Sequence, residues 1–180
     1  MTVEFAGPTS DPSMVAELHA LSDTWLDGRR SREMAFSVAG FREAYVARQH
    51  LALLRQGGKT IGLLSLMTTA GKVDATLGIM RHMTEAPPYA MRFLVARVIL
   101  HFKEDGFEWL SLGMAPLAGL ERTPLTSPWH RVAWLLWQGG NRFYNFRGLR
   151  GFKDKFHPVW QPRYYAASGT VALSRSTNEP

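Results

Sequence analysis

The hydrophobic positions of this chain change period several times, and each change marks an element. From Pro12 to about Asp27, Val15, Leu18, Leu21, Ser22 and Trp25 recur at helical intervals behind Asp11-Pro12, a capping carboxylate followed by a first-turn proline. Residues 1 to 10 carry no such period and read as a loose lead-in. Phe36, Phe41 and Tyr45 predict a second, shorter helix over about Val38 to Arg48, weakened by Gly40. The runs His50 to Arg55 and Thr60 to Thr69 then read as strands joined by Gln56-Gly57-Gly58-Lys59, a short hairpin signal. Residues 61 to 67, I-G-L-L-S-L-M, do not alternate, so a central strand buried on both faces is predicted there.

After a turn at Ala70-Gly71, Lys72 to Arg81 predicts a third strand. Pro87-Pro88 opens a helix whose apolar face is Met91, Leu94, Val95, Val98, Ile99 and Phe102, and Asp105-Gly106 closes it. Phe107 to Gly113 predicts a fourth strand, and Ser127-Pro128 caps a further helix carrying Trp129, Val132, Ala133 and Leu136 as far as Gly139-Gly140. Near the end, Phe146, Leu149, Phe152 and Phe156 fall on one side of a helix, and Arg147, Arg150 and Asp154 on the other, with Lys153 at the border. Pro158 ends that helix, Val159 to Tyr165 continues as a strand interrupted by Pro162, and residues 168 to 180 look like a frayed tail. The order is that of a single mixed α/β domain over residues 1–180.

Charge adds a location to this outline. The chain holds 21 Lys and Arg against 15 Asp and Glu, a net charge of +6 and a pI near 10.0. Between residues 141 and 163, Arg142, Arg147, Arg150, Lys153, Lys155 and Arg163 stand against Asp154 alone, so nearly all of the excess is there. A face of this kind suits a polyanion such as tRNA or anionic lipid, and it also describes a solvated amphipathic helix on an ordinary basic domain. The charged loop R-R-S-R-E at 29 to 33 has the same two readings.

Composition excludes several chemistries. With no cysteine, disulfides, thiolate nucleophiles and Cys-ligated zinc are ruled out, as suits a reducing cytoplasm. The histidines at 19, 50, 82, 101, 130 and 157 show no H-x-x-x-H or H-E-x-x-H spacing, and no metal site is expected. There is no G-x-S-x-G elbow, and Asp74, Glu85 and Asp105 fall at turns and edges rather than as a carboxylate pair. No span approaches the ~18 to 20 apolar residues that cross a bilayer, so no transmembrane segment is expected in this chain.

Residues 143 to 164, F-Y-N-F-R-G-L-R-G-F-K-D-K-F-H-P-V-W-Q-P-R-Y, resemble the C-terminal signature of the bacterial aminoacyl-phosphatidylglycerol synthases, the lysyl- or alanyl-phosphatidylglycerol synthases. L-S-D-T-W-L from Leu21, M-R-H from Met80 and L-G-M-A-P-L-A-G-L from Leu112 extend the resemblance over most of the chain. It implies an acetyltransferase-like (GNAT) fold, a mixed and mostly antiparallel sheet flanked by helices, with which the element order agrees. It also implies a reaction in which the glycerol hydroxyl of phosphatidylglycerol attacks the ester carbon of an aminoacyl-tRNA. The activated ester is already in the substrate, so positioning and charge stabilisation suffice and no cofactor is expected. Acetyl-CoA in particular is not expected. There is no glycine between Gly78 and Gly106, and Pro87 and Pro88 remove N–H donors where the pyrophosphate would need them.

Members of the resembled family usually carry a membrane-spanning portion ahead of the catalytic part. The chain is therefore expected to be a free-standing relative or an excised piece, cytoplasmic and peripheral to the inner face of the membrane, its membrane domain separate or missing. By resemblance, Arg81 matches a basic residue of the active-site motif, Lys153 and Lys155 the paired lysines, and Arg163 the arginine that follows. Candidate catalytic residues are thus Arg81, Lys153 and His82, the last as a base whose ordinary pKa suits neutral pH. Candidate substrate-binding residues are Lys155, Arg163, Arg150, Arg147, Gly113 and Met114. The structural alternatives are an Arg81–Glu85 pair, solvated lysines and a structural histidine. Two departures leave a second reading open: Gly78 stands where the family has an aspartate, and Arg92 at a second acidic position. A chain without that base would be a catalytically impaired module that binds tRNA acceptor ends or anionic headgroups.

Overall fold

Two consecutive glycines set the geometry of the sheet. In the computed structural model, which describes residues 1–8, 11–27, 41–115 and 146–163 with the side chains of Phe146 and Arg147 excepted, Gly57 and Gly58 have φ of +56° and +80°. Positive φ at both loop positions is what a two-residue hairpin needs to match the twist of its strands. Gln56 accordingly pairs with Lys59, joining β2 (His50–Gln56) to β3 (Lys59–Thr68). β4 (Asp74–His82) pairs antiparallel with β3, and β1 (Thr2–Ala6) antiparallel with β2. β5 (Trp109–Ser111) lies parallel to β4, as a strand must when a helix, α3 (Ala90–Glu104), makes the crossover. The order is β1-β2-β3-β4-β5.

The lead-in expected to be loose over residues 1 to 10 is thus a strand over Thr2–Ala6. Its five residues are too few to announce a period, and tertiary contacts hold it: Phe5 stacks on His101 of α3 at 3.7 Å, and Glu4 Oε2 accepts from Arg55 Nε at 2.9 Å. Arg55 also reaches Glu17 of α1 (Pro12–Asp27) at 2.7 Å and Thr60 of β3, so one guanidinium ties four elements together. α1 begins as expected, with Asp11 Oδ1 accepting the Ser13 N–H at 2.9 Å.

β3 is the central strand its unbroken apolar run predicted. One face of the sheet, with Leu51, Leu53, Leu63 and Ile79, packs on Leu18 and Leu21 of α1 and Val46 of α2 (Glu43–Val46). The other faces α3, whose Met91, Leu94, Val95, Val98 and Phe102 are buried; the Met91 sulfur approaches the space beside Gly62. Helices on both faces explain why residues 61 to 67 do not alternate.

The described residues up to Ser111 belong to one compact unit and those from Leu112 to Arg163 to a second. In the second, Leu112–Ala115 follows β5, and α4 (Phe146–Asp154) appears where the 3.6-residue pattern placed it. Residues 159–163 are not a strand, contrary to expectation, and prolines at 158 and 162 remove the ladder donors that one would need. The predicted helix from Ser127 to Gly139, the 29 to 33 loop and the 168 to 180 tail lie outside the described residues.

Candidate active site

Arg81 is next to last on β4, opposite Leu63, on the face covered by α1. It is only 5% exposed. Its guanidinium carbon lies 3.9 Å from the centre of the Trp25 ring, a cation–π stack in a dry setting where such contacts are strongest. A guanidinium does not give up its proton, so a permanent positive charge is fixed at this end of the sheet, over an indole ring. Trp25 was legible as an apolar position of α1 but not as the partner of Arg81, because 56 positions of chain separate the two. Helical spacing puts Ser22 and Trp25 on one face of α1, and that is the only signal the sequence offered.

His82 follows Arg81 and points to the opposite face of the strand. Its Nδ1 lies 2.9 Å from the Met83 carbonyl oxygen. A carbonyl only accepts, so Nδ1 carries the hydrogen and Nε2 is left with its lone pair in the neutral ring.

Position 78 is part of a bulge, since the β3–β4 register shifts between Leu64 and Leu66 so that Gly78 and Ile79 oppose Ser65. Ser65 Oγ accepts the Ile79 N–H at 2.8 Å. A β-carbon on residue 78 would lie 2.6 Å from that oxygen and 3.2 Å from Gln49 Oε1. The space an aspartate would need is therefore held by two other polar side chains. Beyond Thr76, β4 has no β5 partner among the described residues, because the parallel ladder covers only Asp74–Thr76. This open flank coincides with the bulge.

In the second unit, Lys153 of α4 is buried, at 6% exposure, while Leu149, Phe152 and Phe156 are half-buried. The sequence had placed it at the border of the apolar stripe. Its Nζ donates to the Met114 carbonyl at 2.7 Å, joining α4 to the segment after β5. Burial of the ammonium lowers its pKa from 10.5 to about 8. Gly113, just before, has φ +75°, a conformation that side chains rarely adopt.

Three of the sequence candidates, Lys153, Met114 and Gly113, are thus brought together in one place. Arg150 is not part of it: its guanidinium sits over Trp160 at 5.2 Å and near Asp154 Oδ2 at 3.7 Å, and the Trp160 N–H donates to Asp154 at 2.9 Å. Lys155 and Arg163 are exposed, and Arg147 lies on α4 with its side chain outside the described residues. Among the described residues no three His, Asp or Glu side chains group as metal ligands would.

A mostly antiparallel five-stranded sheet, helices on both faces and a fourth strand that parts from the fifth after three residue pairs define a GNAT-type acyltransferase fold. A ribosomal-protein-alanine N-acetyltransferase from Brucella melitensis biovar Abortus 2308 shares it with a TM-score of 0.52 over 94% of this chain and 100% of that one; at 9% identity the likeness is one of fold alone. Within this class, residues 1–167 match the family model "Phosphatidylglycerol lysyltransferase, C-terminal", and the chain belongs to that family. The phosphatidylglycerol lysyltransferase of Staphylococcus epidermidis is 32% identical over 162 residues, which are 89% of this chain and 19% of that protein. The C-terminal DUF2156 domain of an Agrobacterium fabrum protein classed with lysylphosphatidylglycerol synthetases superposes with a TM-score of 0.73 at 39% identity, over 91% of this chain and 48% of that one. The chain therefore spans about a fifth of the curated relative and about half of the solved domain.

Proposed function

We propose that this domain transfers an aminoacyl group, lysyl or alanyl, from an aminoacyl-tRNA to a glycerol hydroxyl of phosphatidylglycerol or a related anionic lipid, at the cytoplasmic face of a membrane. Beyond family membership, the observation that supports this reading is Lys153. A lysine nine-tenths buried is rare, and one whose pKa is near 8 can supply a positive charge or a neutral amine under ordinary conditions.

In the step proposed, the hydroxyl oxygen bonds to the ester carbon, the bond from that carbon to the ribose oxygen breaks, and the hydroxyl proton ends on the ribose oxygen. Each unit is assigned its own part of this step: in the second, the Lys153 ammonium and the backbone at Gly113 and Met114 offer charge stabilisation to an oxyanion, and in the first, Arg81 offers a phosphate contact and His82, on the other face of β4, a proton acceptor. Exposed Lys155 and Arg163, with Arg150 and Arg147, draw in the two polyanions. Among the described residues no helix is long and apolar enough to cross a membrane.

The test is incubation with phosphatidylglycerol vesicles and tRNA charged with lysine or alanine, followed by analysis of the lipid. Aminoacylated lipid with either tRNA is the expected result, and its absence with both overturns the proposal. One observation favours the second reading, a binding module without chemistry: Gly78 offers no carboxylate, and Ser65 holds the place of one. That module would bind tRNA with a steep loss of affinity on adding salt, yet transfer nothing.

A further inference from the structure

Gln49 is 4% exposed, and neither its Oε1 nor its Nε2 has a hydrogen-bond partner among the described residues. Burying a carboxamide with two donors and an acceptor unused is unfavourable, and in native proteins such a group nearly always has a partner, whether protein, ordered water or a bound molecule. The side chain is long, and its placement is specific. Gln49 immediately precedes β2, yet its Oε1 lies 3.2 Å from where a β-carbon of Gly78 on β4 would be, so it spans the intervening β3 on the face covered by α1. The residues beneath it are the small ones on that face. Ser65 of β3 is bonded to the Ile79 N–H, and a β-carbon on Gly78 of β4 would meet both its Oγ and Gln49 Oε1, so the glutamine occupies space that a side chain at 78 would need. The carboxamide therefore ends beside Gly78, on the half of β4 that has no β5 partner among the described residues.

The chemistry of the unused atoms narrows what could meet them. A carboxamide has no charge to offer a phosphate or an ammonium, but its oxygen accepts while its nitrogen donates, which is the complement of a hydroxyl group or of two neighbouring hydroxyls. We propose that Gln49, with Ser65 and Gly78 making room for it, forms a subsite for the hydroxyls of the acceptor's glycerol headgroup and selects acceptors that carry them. This deepens the reading of phosphatidylglycerol as acceptor and rests on it. A site built to hydrogen-bond a substrate hydroxyl rejects an analogue without one, because its own polar atoms are then left unpaired.

The experiment compares vesicles doped with phosphatidylglycerol or with phosphatidylethanol, which carry the same charge and differ in the headgroup hydroxyls. The wild-type chain should bind the first at least tenfold more tightly. Gln49→Leu, which removes both polar atoms, should abolish that preference while keeping the affinity for phosphatidylethanol, and should melt no lower than the parent. If Gln49→Leu fails to fold, Gln49→Met, unbranched like glutamine, serves for the same comparison. A folded variant that keeps the preference overturns the subsite and leaves Gln49 as the anchor of a structural water. A wild-type chain that transfers to phosphatidylglycerol but shows no preference also overturns it, whereas no preference and no transfer overturns the acceptor reading itself.

Discussion

At the scale of single residues, position 78 decides how far the site can be altered. Ser65 Oγ lies 2.6 Å from where a β-carbon would go and cannot retreat without giving up the Ile79 N–H, so Gly78→Asp alone should destabilise the fold by about 1 to 3 kcal/mol in urea titration. With Ser65→Ala in the same chain, the loss should be smaller than the sum of the two single changes, since one oxygen is the source of both penalties. A purely additive result would mean that the two residues do not compete for the same space. Lys153 yields a prediction in pH. Its folded pKa, about 8, is below the 10.5 of a free lysine, so between those values the unfolded chain binds more protons than the folded one and stability rises with pH. The cost of burying the ammonium is felt in full below about pH 8. Lys153→Met should therefore gain on the parent most below pH 8, and its advantage should narrow as pH climbs toward 10.5; a difference in urea midpoint that stays constant over that range would refute the assignment.

At the scale of elements, the hairpin and the α1–β4 contact were legible to different degrees. The pair of glycines after Gln56 announced a two-residue turn because only that turn calls for positive φ twice in succession. Gly57, at φ +56° with nothing within 4 Å of an added β-carbon, should accept asparagine, and Gly57→Asn should raise stability by about 0.5 kcal/mol through a less flexible unfolded chain. Gly57→Val in the same turn should instead cost about 1 to 2 kcal/mol. The stack of Arg81 on Trp25 had no local signature. In a double-mutant cycle on urea stability, Trp25→Leu and Arg81→Met should couple by about 2 kcal/mol, the strength of a desolvated cation–π contact; coupling near zero would reduce the pair to chance proximity. α4 lies between these cases. Its range followed from the 3.6-residue pattern, but periodicity put Lys153 only at the edge of the apolar stripe, and its burial depends on the Met114 carbonyl that receives it.

At the scale of the whole molecule, sharing a fold with acetyltransferases does not bring their cofactor, because function resides in the site grafted on the fold. α3 begins at Ala90 behind Pro87-Pro88, and its cap, Tyr89, makes no side-chain hydrogen bond, so the turn that would cradle a pyrophosphate lacks glycine and two N–H donors. Coenzyme A at millimolar concentration should leave the melting temperature unchanged, and a shift of several degrees would refute this. By itself the sequence determined the central strand, the hairpin, α1, α3 and α4, since each rests on a local period or on turn chemistry that neighbouring residues set. It also located the basic stretch and the motif blocks that carry the family. Only tertiary structure decided that Thr2–Ala6 is a strand, that Arg81 lies against an indole, that Lys153 is buried on a carbonyl and that Ser65 and Gln49 hold the space at Gly78. Those outcomes depend on side chains brought together from distant parts of the chain, where burial rather than local propensity sets the energy, and a one-dimensional pattern carries no record of which distant group will meet which.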